Sequence, residues 1–256
     1  MSEKIIIIGS NSGLGKYLHE NLDSIGLNRN NAEEMLEKVR QEGTDIIIHC
    51  AFNSSKHVDS NTLYDYYSDN VLLTQQLVDI PHKMFIFISS VDIYPKTGEL
   101  FSEKAETDVN ALNSIYSITK LISESIIKRN CRNYLILRCT ALLGKDSRKN
   151  SLIKILKDKE PEISVSPKST FNYILHEDIL DFIRIAIEKN IQGIYNMASS
   201  GNVKISNIAN TYNKKVKFGN FIYDVGNINN KKASSLLPSL NKTSEETISK
   251  FIEMIK

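Results

Sequence analysis

Apolar positions along this chain follow two rhythms that alternate. Lys4 to Ile8 is a short run of β-branched side chains, the pattern of a strand buried on both faces of a parallel sheet. Tyr17, Leu18 and Leu22 then recur at helical spacing. The same change of period repeats. A short strand is expected at Ser24 to Leu27. A helix should run from Ala32 to about Gln41, capped by Asn31 and stopped by Gly43, followed by a strand from Asp45 to Ala51. After a polar stretch at 53–67, a helix is expected from Asp69 to about Val78 and a strand from Met84 to Ser89. A helix from Ser114 to about Asn130 and a strand from Tyr134 to Cys139 follow. This alternation predicts an α/β fold on a doubly wound parallel sheet. Beyond Gly144 to Asn150 the elements shorten. Helices are expected at 152–159, 177–188, 204–212 and 244–255, with strands at 163–165, 171–175 and 193–197.

The first strand runs into Gly9-Ser10-Asn11-Ser12-Gly13-Leu14-Gly15. A strand, a glycine-rich turn and a helix make a phosphate site: glycines permit the tight turn and close backbone approach, and the helix N-terminus favours an anion. This points to a dinucleotide and a Rossmann-type fold. In many NAD enzymes an acidic residue ends the second strand and binds the ribose 2′-OH; here Asn28 and Arg29 follow it. Arg29 either pairs with a 2′-phosphate, favouring NADP(H) over NAD(H), or is a surface side chain. Further on, Tyr116 and Lys120 lie four apart on one helix face. A nearby cationic amine favours the phenolate, so such a tyrosine can exchange a proton with an alcohol or carbonyl oxygen. Ser90, at a strand end, can hold the same oxygen. A hydride would have to come from a cofactor.

Composition narrows the setting. The chain has 256 residues, 41% of them hydrophobic, with a net charge of +2, so no global field argues for nucleic acid or membrane. Cys50, Cys131 and Cys139 form no C-x-x-C pair and read as buried thiols in a reducing compartment. With no leader or membrane-length apolar run, a cytoplasmic location is expected. His49, ending an apolar strand, reads as a core or rim histidine, and no residue spacing suggests a metal site.

Taken together, the glycine loop, Asp45 with His49-Cys50-Ala51, Asn70-Val71, Ser89-Ser90 with Tyr94, Tyr116 with Lys120, Leu137-Arg138 with Gly144, His176-Glu177-Asp178 and Asn196 carry a resemblance. Ser90 precedes Tyr116 by 26 residues. The chain resembles extended short-chain dehydrogenase/reductases of the NAD-dependent epimerase/dehydratase group, which act on nucleotide sugars. The resemblance implies a dinucleotide domain at 1–145 with part of 171–200, and a small C-terminal substrate lobe over most of 146–256. It makes Tyr116 the proton donor or acceptor, Lys120 the residue that binds the nicotinamide ribose and lowers the phenol pKa, and Ser90 the hydrogen-bond partner of the reacting oxygen. Gly9, Ser10, Asn11, Ser12, Gly13, Leu14 and Gly15 would cradle the pyrophosphate. Ala51 would lie on the adenosine side, Asn70 would lie near the cofactor or hold the strand end, and Thr140, Ala141 and Leu142 would flank the nicotinamide. Asp92, Phe171, Asn172 and Tyr173 are substrate candidates, and loops 53–67, 96–113 and 166–176 would set the sugar. Two departures stand out: Ser12 replaces the group's usual middle glycine, and the second strand is abbreviated. Sugar dehydratases carry an Asp-Glu pair just after the serine or threonine; Val91-Asp92 breaks it here. The expected activity is therefore an NADP(H)-dependent reductase of a nucleotide-linked keto-sugar in bacterial surface-polysaccharide biosynthesis. An NAD-dependent epimerase is the alternative, with a dehydratase or a non-catalytic dinucleotide sensor behind it. A homodimer through the helices around Asn70 and Tyr116 is a further family expectation.

Overall fold

The computed structural model describes residues 3–55, 57–112 and 114–256, so Lys56 and Asn113, within two of the loops expected to set the sugar, lie outside the described residues. Six strands form the central sheet: β1 Ile5–Ile8, β2 Ser24–Leu27, β3 Ile46–His49, β4 Met84–Ser90, β5 Tyr134–Cys139 and β6 Gly193–Met197. Their spatial order is β2-β1-β3-β4-β5-β6, and every neighbouring pair is parallel.

Alternation along β1 explains why the sheet is covered on both sides. Ile5 and Ile7 feed one core; Ile6 and Ile8 feed the other. The first core takes Leu14 and Leu18 from α1 (Gly13–Asn21) and Ile179, Phe182 and Ile183 from α7 (His176–Glu188). The second takes Leu36 and Val39 from α2 (Ala32–Glu42), and Leu77 and Val78 from the helix ending at Val78. It also takes Ile127 from α5 (Ile115–Asn130). A strand buried on both faces gains roughly 1.5–3 kcal/mol per large aliphatic side chain, which is why these strands need no polar alternation.

The helix before β4 is longer than its pattern suggests. It starts at Leu63 rather than Asp69, as α3 (Leu63–Tyr67), a π-helical turn (Ser68–Leu72) and α4 (Leu73–Val78). Asn31 precedes α2 but does not cap it: its Oδ1 accepts from Asn28 N and its Nδ2 donates to Gly26 O. Gly43 does stop that helix, at φ +71°.

A third core fills the lobe. Leu152 and Ile155 of α6 (Ser151–Lys157), Ile205 and Ile208 of α8 (Ile205–Thr211), and Ile248 and Phe251 of α10 (Ser244–Ile255) surround Ile163, Tyr173 and Leu175. The pairing of Lys217–Phe221 with Glu162–Val165 was not expected. The segment around α9 (Lys231–Ser234) also returns to the central sheet: Ala233 and Leu240 join its core, and Asn230 Nδ2 donates to the Ala198 and Leu240 carbonyls. Among the described residues no helix is long and apolar enough to cross a membrane.

Candidate active site

The chain leaves β1 towards β2 and returns on its other side as β3, so a crevice opens above the carboxyl ends of β1 and β3. A cavity of about 1230 Å³ occupies it and extends to the ends of β4 and β5, more than one drug-sized ligand fills.

At one end the backbone builds the wall. Gly9 sits at φ +90°, and a Cβ there would lie 2.7 Å from Ala51 N; one on Gly15 would collide with the Gly9 carbonyl. Gly13 takes φ +57° with open space around its Cβ position. Ser12 is extended, at φ −155° and ψ 160°, and makes no side-chain cap on α1. The left-handed position therefore falls on Gly13, and a serine one residue earlier costs the turn nothing. With its first-turn amides uncapped and Asn11 to Gly15 lining the cavity, the N-terminus of α1 suits the pyrophosphate of a dinucleotide. Ser10 is not part of that wall: it is buried, and its Oγ donates to Leu27 O. Asn70 takes the second of its two expected roles. It is fully buried, accepts from Asn53 N at 2.6 Å and donates to Asn53 O at 3.0 Å, fixing the loop after β3. Arg29 lies at the rim, 81% exposed, and pairs with Asp69 at 2.6 Å. Asn53 Nδ2 donates to the same carboxylate oxygen at 2.9 Å.

At the other end side chains dominate. Ser114 caps α5 by accepting from Ser117 N at 3.1 Å, which starts the helix just before Tyr116. Ser90 is the last residue of β4, and it lines the cavity with Tyr116 and Lys120. The Lys120 amine donates to Ile88 O at 2.6 Å. It lies 3.6 Å from the Phe52 ring centroid, 4.5 Å from Phe87 and 5.9 Å from Tyr116. Burial pushes its pKa down to about 7, with Cys139, Cys50 and Glu124 pulling weakly the other way. Burial also raises the Tyr116 phenol above its ordinary value, helped by the Asp92 carboxylate and opposed by Ser90. The expected lowering of Tyr116 by Lys120 is thus absent here. The amine is committed to a carbonyl and two ring faces, and desolvation dominates at the phenol.

Several motif residues prove to be scaffold. Arg138 donates to Glu124 through Nε and Nη2, at 3.1 and 2.7 Å, and to Tyr94 OH at 2.7 Å. Tyr94 OH donates to Asn196 Oδ1 at 2.8 Å, and Ser89 Oγ donates to Glu124 at 2.6 Å. This buried network locks β4, α5, β5 and β6 behind the reaction centre. His49 is fully buried, with Nε2 3.1 Å from Thr74 Oγ1, and burial pushes its pKa to about 3, so it stays neutral. Burial also pushes the Cys50 thiol up to about 12. Among the described residues no cluster of three or more His, Cys, Asp or Glu could hold a metal.

Of the substrate candidates, Phe171 and Asp92 line the cavity. Asn172 and Tyr173 do not. Asn172 is buried, accepts from Thr140 Oγ1 and Ser199 N, and donates to Ser199 O. Tyr173 is a core residue of the lobe, stacked behind Phe171 at 5.8 Å. Thr140, Ala141 and Leu142 line the cavity. Sequence reasoning missed Phe52, Arg148 and Tyr223. Tyr223 lines the cavity from the lobe and donates to Asp92 Oδ1 at 2.9 Å. Arg148 Nη1 donates to Ser54 Oγ at 2.9 Å across the cofactor end.

A family model, the NAD dependent epimerase/dehydratase family, matches residues 5–207. The chain belongs to that family. This enzyme is an NAD(P)-dependent oxidoreductase/epimerase of the extended short-chain dehydrogenase/reductase type, using a nicotinamide dinucleotide. No curated protein matches its sequence. Among solved structures it is similar to a dTDP-4-dehydrorhamnose reductase from Clostridium acetobutylicum, with TM-score 0.82, 16% identity and coverage of 98% of this chain and 99% of that one. It is also similar to a dTDP-4-dehydrorhamnose reductase from Bacillus anthracis in complex with NADP, at TM-score 0.81, 21% identity and coverage of 98% and 99%. UDP-glucuronic acid 4-epimerase from Bacillus cereus in complex with UDP-glucuronic acid and NAD gives TM-score 0.76, 21% identity and coverage of 98% of both chains. At these identities the likeness establishes the Rossmann-type fold.

Proposed function

We propose that the enzyme is an NADP(H)-dependent reductase of a nucleotide-linked keto-sugar. One observation carries the reading: Ser90, Tyr116 and Lys120 stand at one end of the cavity whose other end is the uncapped helix and its glycines. The glycine wall would hold the pyrophosphate through backbone amides. A nicotinamide dinucleotide, when bound, supplies the hydride. Tyr116 donates the proton to the carbonyl oxygen; its raised pKa keeps the phenol protonated until charge develops on that oxygen. Ser90 Oγ already accepts from Asp92 N at 3.1 Å, which leaves its own O–H to donate to the same oxygen. Lys120, with its pKa near 7, would bind the ribose and balance charge beside Tyr116. The lobe, built mostly from 146–256, would take the nucleotide sugar.

The NADP(H) preference rests on Arg29. No carboxylate ends β2, and the exposed guanidinium has one ion-pair partner among the described residues, Asp69, which a 2′-phosphate would displace. The adenosine side is open because, among the described residues, no strand lies beyond β2, which suits a cofactor that leaves after each turnover. Against a dehydratase, Asp92 is held by Lys96 and Tyr223, and no second carboxylate follows Ser90 directly. Leu63, Tyr64, Tyr67 and Ile122 are exposed on α3 and α5, and a second copy of this chain is the partner proposed for that face.

The test is a Tyr116→Phe variant with NADPH and dTDP-4-dehydrorhamnose. The variant is expected to fold and bind cofactor while losing about 1000-fold or more in turnover. Retained activity would remove Tyr116 from the chemistry. Wild-type protein that arrives from purification loaded with NAD would replace the reductase by the epimerase.

A further inference from the structure

The sugar end of the cavity contains an arrangement that the proton and hydride chemistry does not use. Asp92 lies in the short 3-10 turn Val91–Ile93 that follows β4. Two groups hold one of its oxygens. Lys96 Nζ donates to Oδ1 at 3.2 Å, and Tyr223 OH donates to the same atom at 2.9 Å. Asp92 Oδ2 has no hydrogen-bond partner among the described residues, although the side chain is 30% exposed and lines the cavity. Tyr223 belongs to the lobe, whereas Asp92 and Lys96 belong to the segment after β4. Their hydrogen bonds therefore tie the two bodies together at the mouth of the reaction centre.

The rings complete the wall. Tyr223 packs on Phe171 with centroids 4.9 Å apart, and Phe171 is backed by buried Tyr173 at 5.8 Å. Both Phe171 and Tyr223 line the cavity. An aromatic face beside a fixed carboxylate matches the chemistry of a sugar ring, whose C–H face packs on π-systems and whose hydroxyls donate to charged acceptors. The same turn also connects to the reacting oxygen, since Asp92 N donates to Ser90 Oγ at 3.1 Å. A hydroxyl bound at Oδ2 would therefore lie close to the carbonyl that Ser90 and Tyr116 engage.

We infer that Asp92 is the specificity residue for a sugar hydroxyl near the reacting carbon, and that Tyr223 and Lys96 are positioning residues that aim its second oxygen. The inference rests on the nucleotide-sugar reading above. Tyr223 is half-buried, and desolvation together with the adjacent Asp92 keeps its phenol protonated as a donor. The rings of Tyr223 and Phe171 form the platform. The clamp discriminates between sugars; it does not take part in proton transfer.

The test measures binding, not turnover. Full-length protein saturated with NADPH is titrated calorimetrically with dTDP-glucose and UDP-glucose, each against its bare nucleoside diphosphate. In the wild type the sugar is expected to add affinity for at least one nucleotide. Asp92→Asn should cut that increment about tenfold or more, and Tyr223→Phe, which keeps the ring, about threefold to tenfold. Affinity for the bare diphosphate should stay unchanged in both variants, which reports an intact fold. Combining the two substitutions should cost no more than Asp92→Asn alone, because Tyr223 acts through Asp92. An unchanged increment in Tyr223→Phe, additive losses, or no sugar increment in the wild type would each overturn the clamp. A normal increment with no reduction of any keto-sugar would instead sink the reductase and leave the clamp standing.

Discussion

Replacing Lys120 by methionine tests the electrostatics of the reaction centre without any substrate. Lys120 is 3% exposed, and burial takes its pKa from 10.5 to about 7. Because the folded value is the lower one, the unfolded chain binds the extra proton throughout the window from about 7 to 10.5. Stability must therefore rise with pH across that window. Linkage with these two values puts the cost of Lys120 to the folded state at about 4.5 kcal/mol near pH 6.5 and about 2 kcal/mol near pH 9. Methionine keeps the stem and removes the charge. It also strands the Ile88 carbonyl that Lys120 satisfies at 2.6 Å, a cost of about 1–3 kcal/mol that does not depend on pH. The stability of Lys120→Met relative to wild type should thus fall by about 2.5 kcal/mol between pH ~6.5 and pH ~9. Urea unfolding of both proteins at both pH values measures it, and other titrating groups cancel in the comparison. A difference that stays constant with pH would show that the amine keeps an ordinary pKa in the fold, and the account of Lys120 above would fail.

Other consequences can be checked independently. Gly9→Ala places a Cβ 2.7 Å from Ala51 N at a φ of +90°; it should cost about 2 kcal/mol or more in urea unfolding and abolish NADPH binding by fluorescence titration. Glu124→Gln leaves Arg138 as a buried, half-partnered cation; a loss of about 3–5 kcal/mol is expected, read as a lowered Tm. Arg29→Ala should weaken NADPH about tenfold and leave NADH unchanged, closing the gap between the two cofactors; equal losses for both would make Arg29 a surface residue.

What the sequence made legible follows from period and backbone geometry. The Ile-rich runs at 5–8 and 46–48 announce a doubly covered sheet because burial on both faces removes any polar alternation. Gly9 and Gly13 mark their turn because both occupy the left-handed region. The helix over 63–67 escaped notice because Leu63, Tyr64 and Tyr67 leave much of its surface both apolar and exposed, and only Tyr66 is buried. The π-turn after it breaks the 3.6 period as well. In the strand near Phe171 the neighbourhood was right and the direction was not: Phe171 reaches the cavity, Asn172 turns to the 199–202 loop and Tyr173 enters the core. Tyr223 has no local signature; it meets Asp92 only in the fold, where the pairing of Lys217–Phe221 with Glu162–Val165 just precedes it.

Hydrogen-bond capacity separates scaffold from site more sharply than motif membership does. Arg138, Asn196 and Asn172 are buried with three or more hydrogen bonds each, and Glu124 accepts on both oxygens. Groups so satisfied specify the geometry of β4 and α5 but have nothing left for a ligand. The residues at the sugar end differ. Lys120 uses one of three donors, Ser90 Oγ accepts from Asp92 N with its own proton unassigned, and Asp92 has both partners on Oδ1. All three line the same end of one cavity. Spare hydrogen-bonding capacity at Lys120, Ser90 and Asp92, backed by a fully satisfied network, supports the proposal that this end of the cavity is completed by a polar, oxygen-rich substrate.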